Sequence, residues 1–184
     1  AVQGVKVSAV PASGVDYASE SDQFYSLKVN GVSGGIWLPL DSASVSNLVD
    51  ARESTKGSFS VQMWVNFSEG NKPMLLDVYN NFSLFAQKDG DHYRMMMRVP
   101  DYYRKFKDYD TEILLEPNRF HHLTFVCEEP SRTWHLYVTH ADSILAHASC
   151  EATSSFDKNH ISGKNSVTFG TNLSKLEEYH FKGY

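Results

Sequence analysis

Apolar and polar residues alternate through most of the chain. Phe59–Asn66 sets Phe59, Val61, Met63 and Val65 against Ser60, Gln62, Trp64 and Asn66. A period of two is that of a β-strand with one buried face. His92–Val99 repeats it, with Tyr93, Met95, Met97 and Val99 on one side and His92, Arg94, Met96 and Arg98 on the other. The three consecutive methionines therefore divide between two faces, and two of them read as core filler. Further strands are expected at Phe24–Val29, Gly35–Leu38, Met74–Tyr79, Phe82–Gln87, Glu112–Leu115, His121–Glu128, Thr133–Thr139, Ser143–Ser149 and Val167–Gly170. The first ten residues, with Val5, Val7 and Val10, add another. Turn chemistry separates these segments. Asn30-Gly31 predicts a hairpin between the two early strands, and Asn80-Asn81 a second one. Helical spacing is confined to Ser44–Ala51 and one turn at Ser174–Tyr179. Roughly ten to twelve strands joined by short turns specify antiparallel pairing, because parallel neighbours need long crossovers. No repeat of about 20–50 residues is visible, which excludes a propeller or solenoid.

Composition narrows the class. The 184 residues suit one domain, and 13% aromatics suit strands. The net charge of −5, from 17 Lys+Arg and 22 Asp+Glu, argues against nucleic acid as a partner. No apolar run of about 18 residues offers a membrane span. No basic start leads into an apolar stretch, so any signal peptide is expected to be gone already. Three sequons, beginning at Asn66, Asn81 and Asn172, point to a glycosylated protein, secreted or at the cell surface. The two cysteines are Cys127 and Cys150. In a meander of the three strands around them, a middle strand separates the pair. Two strand spacings come to about 9.6 Å, beyond the limit of about 7 Å for a disulfide. Cys150 lies just past its strand and could fold over the end, so bridged and unbridged states both stay open.

Five segments resemble one family. Phe59-Ser60-Val61-Gln62-Met63-Trp64-Val65 resembles the F-T-I-S-A-W-V strand of laminin-G-like domains. Arg119–Val126 is similar to their W-H-H-V-A-V strand, Trp134–Val138 to L-Y-V-D-G, Val167–Gly170 to L-x-I-G, and Phe181–Tyr184 to the opening of F-x-G-Y-I-D-E-V. The order matches from about residue 24 to the end. The resemblance implies an all-β concanavalin A-like fold: a two-sheet antiparallel jelly-roll sandwich, with residues 1–184 as a single domain. Phe120 stands where the family has Trp, and Thr139-His140 where it has Asp/Asn-Gly. Tyr184 precedes the family's usual last strand, which pairs beside an N-terminal one. Later residues, Val2–Val10 or strand addition from a neighbouring molecule are expected to fill that slot.

The same superfamily contains glucanases, which carry paired carboxylates in an E-x-D-x-x-E strand. That motif is absent. The nearest acidic group is Asp108, Asp110, Glu112 and Glu116, read here as a solvated loop running into a strand, with the first three on one face. His121 and His122 are strand neighbours on opposite faces and cannot share an ion, and His135, His147 and His160 have no i, i+2 partner with Cys or carboxylate at ligand spacing, so zinc is not supported. The fold would allow calcium through Asp41, Asp77, Asp101 or Asp142, and no cofactor is otherwise expected. No G-x-S-x-G and no phosphate-cradling glycine loop occurs. Interaction character concentrates in Pro100–Tyr109, where four aromatics interleave with three cations. Sugars stack their C–H faces on aromatic rings beside charged or amide groups. Tyr102, Tyr103 and Arg104, together with Trp64 and Gln62 on one strand face, are the candidate ligand-binding residues. The expected function is a non-catalytic extracellular module binding glycan or a protein partner. The alternatives are a structural domain of a larger surface protein and, disfavoured by the absent carboxylates, a glycan-active enzyme.

Overall fold

The computed structural model describes residues 58–78, 82–101, 105–128, 131–140, 143–153, 166–170 and 181–183, and the backbone of 2–3, 10–11, 25–26, 29–30 and 35–39. These form fifteen strands and, among the described residues, no helix. In chain order they are β1 (Val2–Gln3), β2 (Val10–Pro11), β3 (Tyr25–Ser26), β4 (Val29–Asn30) and β5 (Gly35–Pro39). Next come β6 (Phe59–Glu69), β7 (Met74–Val78), β8 (Phe82–Asp89), β9 (His92–Pro100) and β10 (Phe106–Leu115). The last are β11 (Phe120–Glu128), β12 (Thr133–His140), β13 (Ser143–Glu151), β14 (Ser166–Phe169) and β15 (Lys182–Gly183). One sheet has seven strands in the order β1-β5-β14-β7-β8-β9-β10. The other has six, β13-β12-β11-β6-β15-β4, and β2-β3 form a small ribbon. Every pairing is antiparallel. This is the two-sheet jelly-roll sandwich that the family resemblance implies.

The core lies between the sheets. Phe82, Leu84 and Ala86 of β8 and Tyr93, Met95, Met97 and Val99 of β9 face Val65, Phe67, Leu123, Phe125, Trp134, Leu136 and Val138. Of the three consecutive methionines, Met95 and Met97 are buried, as expected, and Met96 points outward. Trp134 ties the layers together: its ring lies 5.0 Å from Phe82, 5.3 Å from Phe125 and 5.9 Å from Phe59. Farther along, Phe67 stacks on Tyr93 at 4.7 Å and meets Phe181 edge-on at 5.7 Å.

Several expectations need correction. Asn30-Gly31 does not join a hairpin, because β4 pairs with β15 in one sheet and β5 with β14 in the other. A permissive turn only lets the chain reverse; here it also changes sheets. The segment Phe24–Val29 splits into β3 and β4. The region read as a loop before Glu112 is strand from Phe106 onward, paired with β9 from Phe106↔Pro100 to Asp110↔Met96. Its polar residues concealed it, since β10 is an edge strand exposed over that stretch. Val2–Gln3 pairs with β5, and Val10–Pro11 with β3. Lys182–Gly183 itself sits between β4 and β6. The helical segments Ser44–Ala51 and Ser174–Tyr179, and Val5 and Val7, lie outside the described residues.

Cys127, Trp134 and Cys150 align across the meander β11-β12-β13. The middle strand separates the sulfurs, and both remain thiols rather than a disulfide.

Candidate functional site

Register assembles the outer face of the six-stranded sheet in rows. Trp64, His122, Thr139 and Ile144 form one; Gln62, Thr124, Tyr137 and His147 the next; Ser60, Val126, His135 and Ser149 a third. Alternation directs these side chains away from the core, because their sequence neighbours Leu123, Phe125, Leu136 and Val138 point into it. Trp64 is 42% exposed and its ring lies 4.9 Å from His122. His122 Nδ1 is hydrogen-bonded to Thr139 Oγ1 at 2.6 Å, which fixes the imidazole beneath the indole. In the next row Tyr137 and His147 stack at 4.3 Å and nearly parallel, at 7°. His135 adjoins this stack end-on, its Nδ1 3.1 Å from His147 Nε2, with its ring 5.3 Å from His147 and 5.9 Å from Tyr137. Ile144 and Leu145, at 62% and 64% exposure, end the surface on the edge strand β13. Flat rings beside an amide and hydroxyls can stack an apolar ligand face and hydrogen-bond its rim.

The aromatic–basic segment belongs to a different surface. Its roots stand on the seven-stranded sheet, where the Asp101 N–H donates to the Lys105 carbonyl at 2.6 Å. The Asp101 carboxylate also accepts from the Thr153 hydroxyl. Tyr102, Tyr103 and Arg104 lie outside the described residues. Beyond them Phe106 is exposed, and the Lys107 ammonium sits 4.8 Å over the Tyr109 ring. Tyr109 donates its hydroxyl to the Glu151 carbonyl at 2.9 Å, so the edges of the two sheets meet here. Of the five candidate ligand residues, the structure brings together Trp64 and Gln62.

The acidic group is engaged in ion pairs. Asp108 takes Arg98 through both oxygens, at 2.6 and 2.8 Å. Arg94 lies between Asp89 at 2.5 Å and Asp110 at 3.2 Å. The hydrogen bonding that Arg94 donates to the Asp89 carboxylate is the main cause holding its guanidinium above the ordinary pKa. Glu112 sits at a bulge with φ 61, its N–H donating to Asp110 Oδ1 at 2.8 Å. Carboxylates clamped by guanidinium groups are poorly placed to move a proton. His121 and His122 point to opposite faces, with His121 Nε2 donating to the Glu116 carbonyl at 2.8 Å. Burial pushes the His121 pKa below its usual range. Asp77 accepts the Ser83 hydroxyl at 2.6 Å. Asp41 and Asp142 lie outside the described residues. Among the described residues no group of three or more His, Cys, Asp or Glu could hold a metal ion. Of the sequons, Asn66 is half-buried on the outer face, and the Ser68 hydroxyl donates to the Lys182 carbonyl at 2.9 Å. Asn81 and Asn172 lie outside the described residues.

Sequence reasoning missed His135, Tyr137 and His147. Alternation put the first two on one face, but only the register of β12 against β13 brings His147 between them.

Comparison with known proteins agrees with this architecture. A model of the concanavalin A-like lectin/glucanases superfamily matches residues 40–183. A carbohydrate-binding module, the CBM40 of the Ruminococcus gnavus IT-sialidase, is 15% identical with a TM-score of 0.57, and the match covers 85% of each chain. The LG1-3 region of the laminin alpha2 chain is 8% identical with a TM-score of 0.52, covering 85% of this chain and 29% of that one. A heptameric SAP-like pentraxin from Limulus polyphemus is 16% identical with a TM-score of 0.49, covering 67% of this chain. This chain spans 58% of the pentraxin's length. At these identities the likenesses concern the fold. No curated protein matches the sequence.

Proposed function

The chain belongs to the concanavalin A-like lectin/glucanases superfamily, and from that membership we propose a non-catalytic extracellular recognition module that binds glycan. Superfamily membership and the binding modules that share its fold make a binding role the general reading. The observation that carries the finer reading is the exposed Trp64 ring on His122, beside Gln62, Tyr137 and His147. A sugar's C–H face stacks on the indole, and its hydroxyls bond to the Gln62 amide and the rim imidazoles. Tyr102, Tyr103 and Arg104 supply a second contact surface at the β9–β10 loop. The absence of a glucanase carboxylate motif and the ion pairing of Asp108 and Asp110 support a module without hydrolytic activity.

A glycan array with the purified chain tests this. Trp64→Ala removes one stacking ring, a loss of about 1.5 kcal/mol or roughly tenfold in Kd, with Tm within a few degrees of wild type. The double variant Y102A/Y103A tests the loop in the same assay. An array with no glycan bound, or binding unaltered in both variants, sinks the proposal. Ile144 and Leu145 favour a second reading, a protein partner docked along β13. In that case Leu145→Lys abolishes partner capture while the array stays blank.

A further inference from the structure

His135 and His147 meet ring to ring across β12 and β13. His135 Nδ1 and His147 Nε2 face each other at 3.1 Å. Two imidazole nitrogens bound to one zinc-like ion at about 2.0–2.1 Å, subtending roughly 90–109°, lie about 2.8–3.4 Å apart. The observed separation falls inside that interval; the rings now meet nearly end-on, with centroids 5.3 Å apart, and a tilt of each ring turns both lone pairs toward one ion. His135 Nε2 is buried without a hydrogen-bond partner. The nearest acidic oxygen, Glu128 Oε2, lies 3.8 Å from it. Binding through Nδ1 leaves the His135 proton on Nε2, directed at that carboxylate. A carboxylate behind a ligating imidazole is the usual support of a metal-bound histidine. Tyr137 stacks on His147 and holds its plane, so little side-chain freedom is lost on binding.

We propose that His135 Nδ1 and His147 Nε2 together bind one borderline-soft divalent ion such as Zn2+, Ni2+ or Cu2+, with water completing the shell and Glu128 orienting His135. Imidazole suits these ions, whereas Ca2+ and Mg2+ prefer oxygen donors. The metal replaces the proton shared by the two rings and ties β12 to β13. The site shares His147 with the proposed glycan surface, but its test uses metal alone, so either reading can fail without the other.

The experiment titrates the whole chain with NiCl2 and ZnCl2 by calorimetry and thermal shift, with CaCl2 as the contrasting ion. One Ni2+ or Zn2+ per chain raises Tm, reversed by a chelator, and Ca2+ has no effect. H147Q and H135Q abolish the shift, E128Q weakens binding about tenfold, and H92Q on the β8–β9 hairpin leaves it unchanged. Cu2+ electron paramagnetic resonance on wild-type protein shows hyperfine coupling to two imidazole nitrogens, a readout that depends on no variant. No uptake at millimolar metal, binding retained in both H135Q and H147Q, or a copper spectrum without two nitrogens overturns the proposal.

Discussion

Gly183 and Gly90 both have positive φ, at 152° and 59°, yet they answer differently to a methyl group. A Cβ on Gly183 would meet the Asn66 carbonyl oxygen at 1.8 Å, whereas one on Gly90 meets nothing within 4 Å. Gly90→Ala therefore costs only backbone strain, about 1–2 kcal/mol. Gly183→Ala adds a collision with the backbone of β6 and is expected to lose at least about 3 kcal/mol in all. Chemical denaturation of the two variants checks the ranking. His121 governs the acid side. Its native pKa lies below the ordinary value because burial penalises the imidazolium. As pH falls past about 6.5 the unfolded chain takes up the proton first. The stability from this group is whole above that pH and declines as pH drops toward the native pKa. Tm measured between pH 7.5 and 5 should fall on the acid side, and His121→Gln should flatten the slope. Burial also pushes the Cys150 thiol up to about 11, and Cys127 is fully buried. Iodoacetamide at pH 8 should leave both unlabelled in the native state and label both in denaturant; rapid native labelling of Cys150 would contradict its protected setting.

At the scale of elements, strands with a buried face declared themselves. β9, β11 and β12 alternate cleanly because one side meets the core and the other meets solvent. β10 did not, since Phe106–Asp110 is polar and half-buried at most on an edge. What fixes it as strand is pairing with β9, spanned by the Arg98–Asp108 and Arg94–Asp110 bridges, and a local pattern reveals neither. Those bridges are exposed and add little stability. The Tyr109 hydroxyl on the Glu151 carbonyl joins the two sheets instead. Tyr109→Phe is expected to cost about 1 kcal/mol in urea unfolding, with the β9–β10 pairing retained.

For the whole molecule, an all-β sandwich or barrel was legible in the short alternating segments, and the family resemblance narrowed it to two sheets. The partition of strands between sheets was not: Asn30-Gly31 reads as a hairpin turn whether the flanking strands pair or diverge. The candidate surface was half legible for the same reason. Trp64 and Gln62 share a strand and so declare a common face, whereas His122, Tyr137 and His147 come from three others and meet them only through register.

The order of strands also sets an order in time. β7 to β10 and β11 to β13 each pair with their successor in sequence, so each can zip from a short loop. β4 with β15, and β5 with β14, join residues from opposite ends of the chain, and closing so long a loop carries a large entropic penalty. The two meanders should therefore form early, and the seams made by the chain ends should form last and open first. In native-state hydrogen exchange, amides of β4, β5 and β15 would trade their protons soonest, while those of β8, β9, β11 and β12 wait for global unfolding.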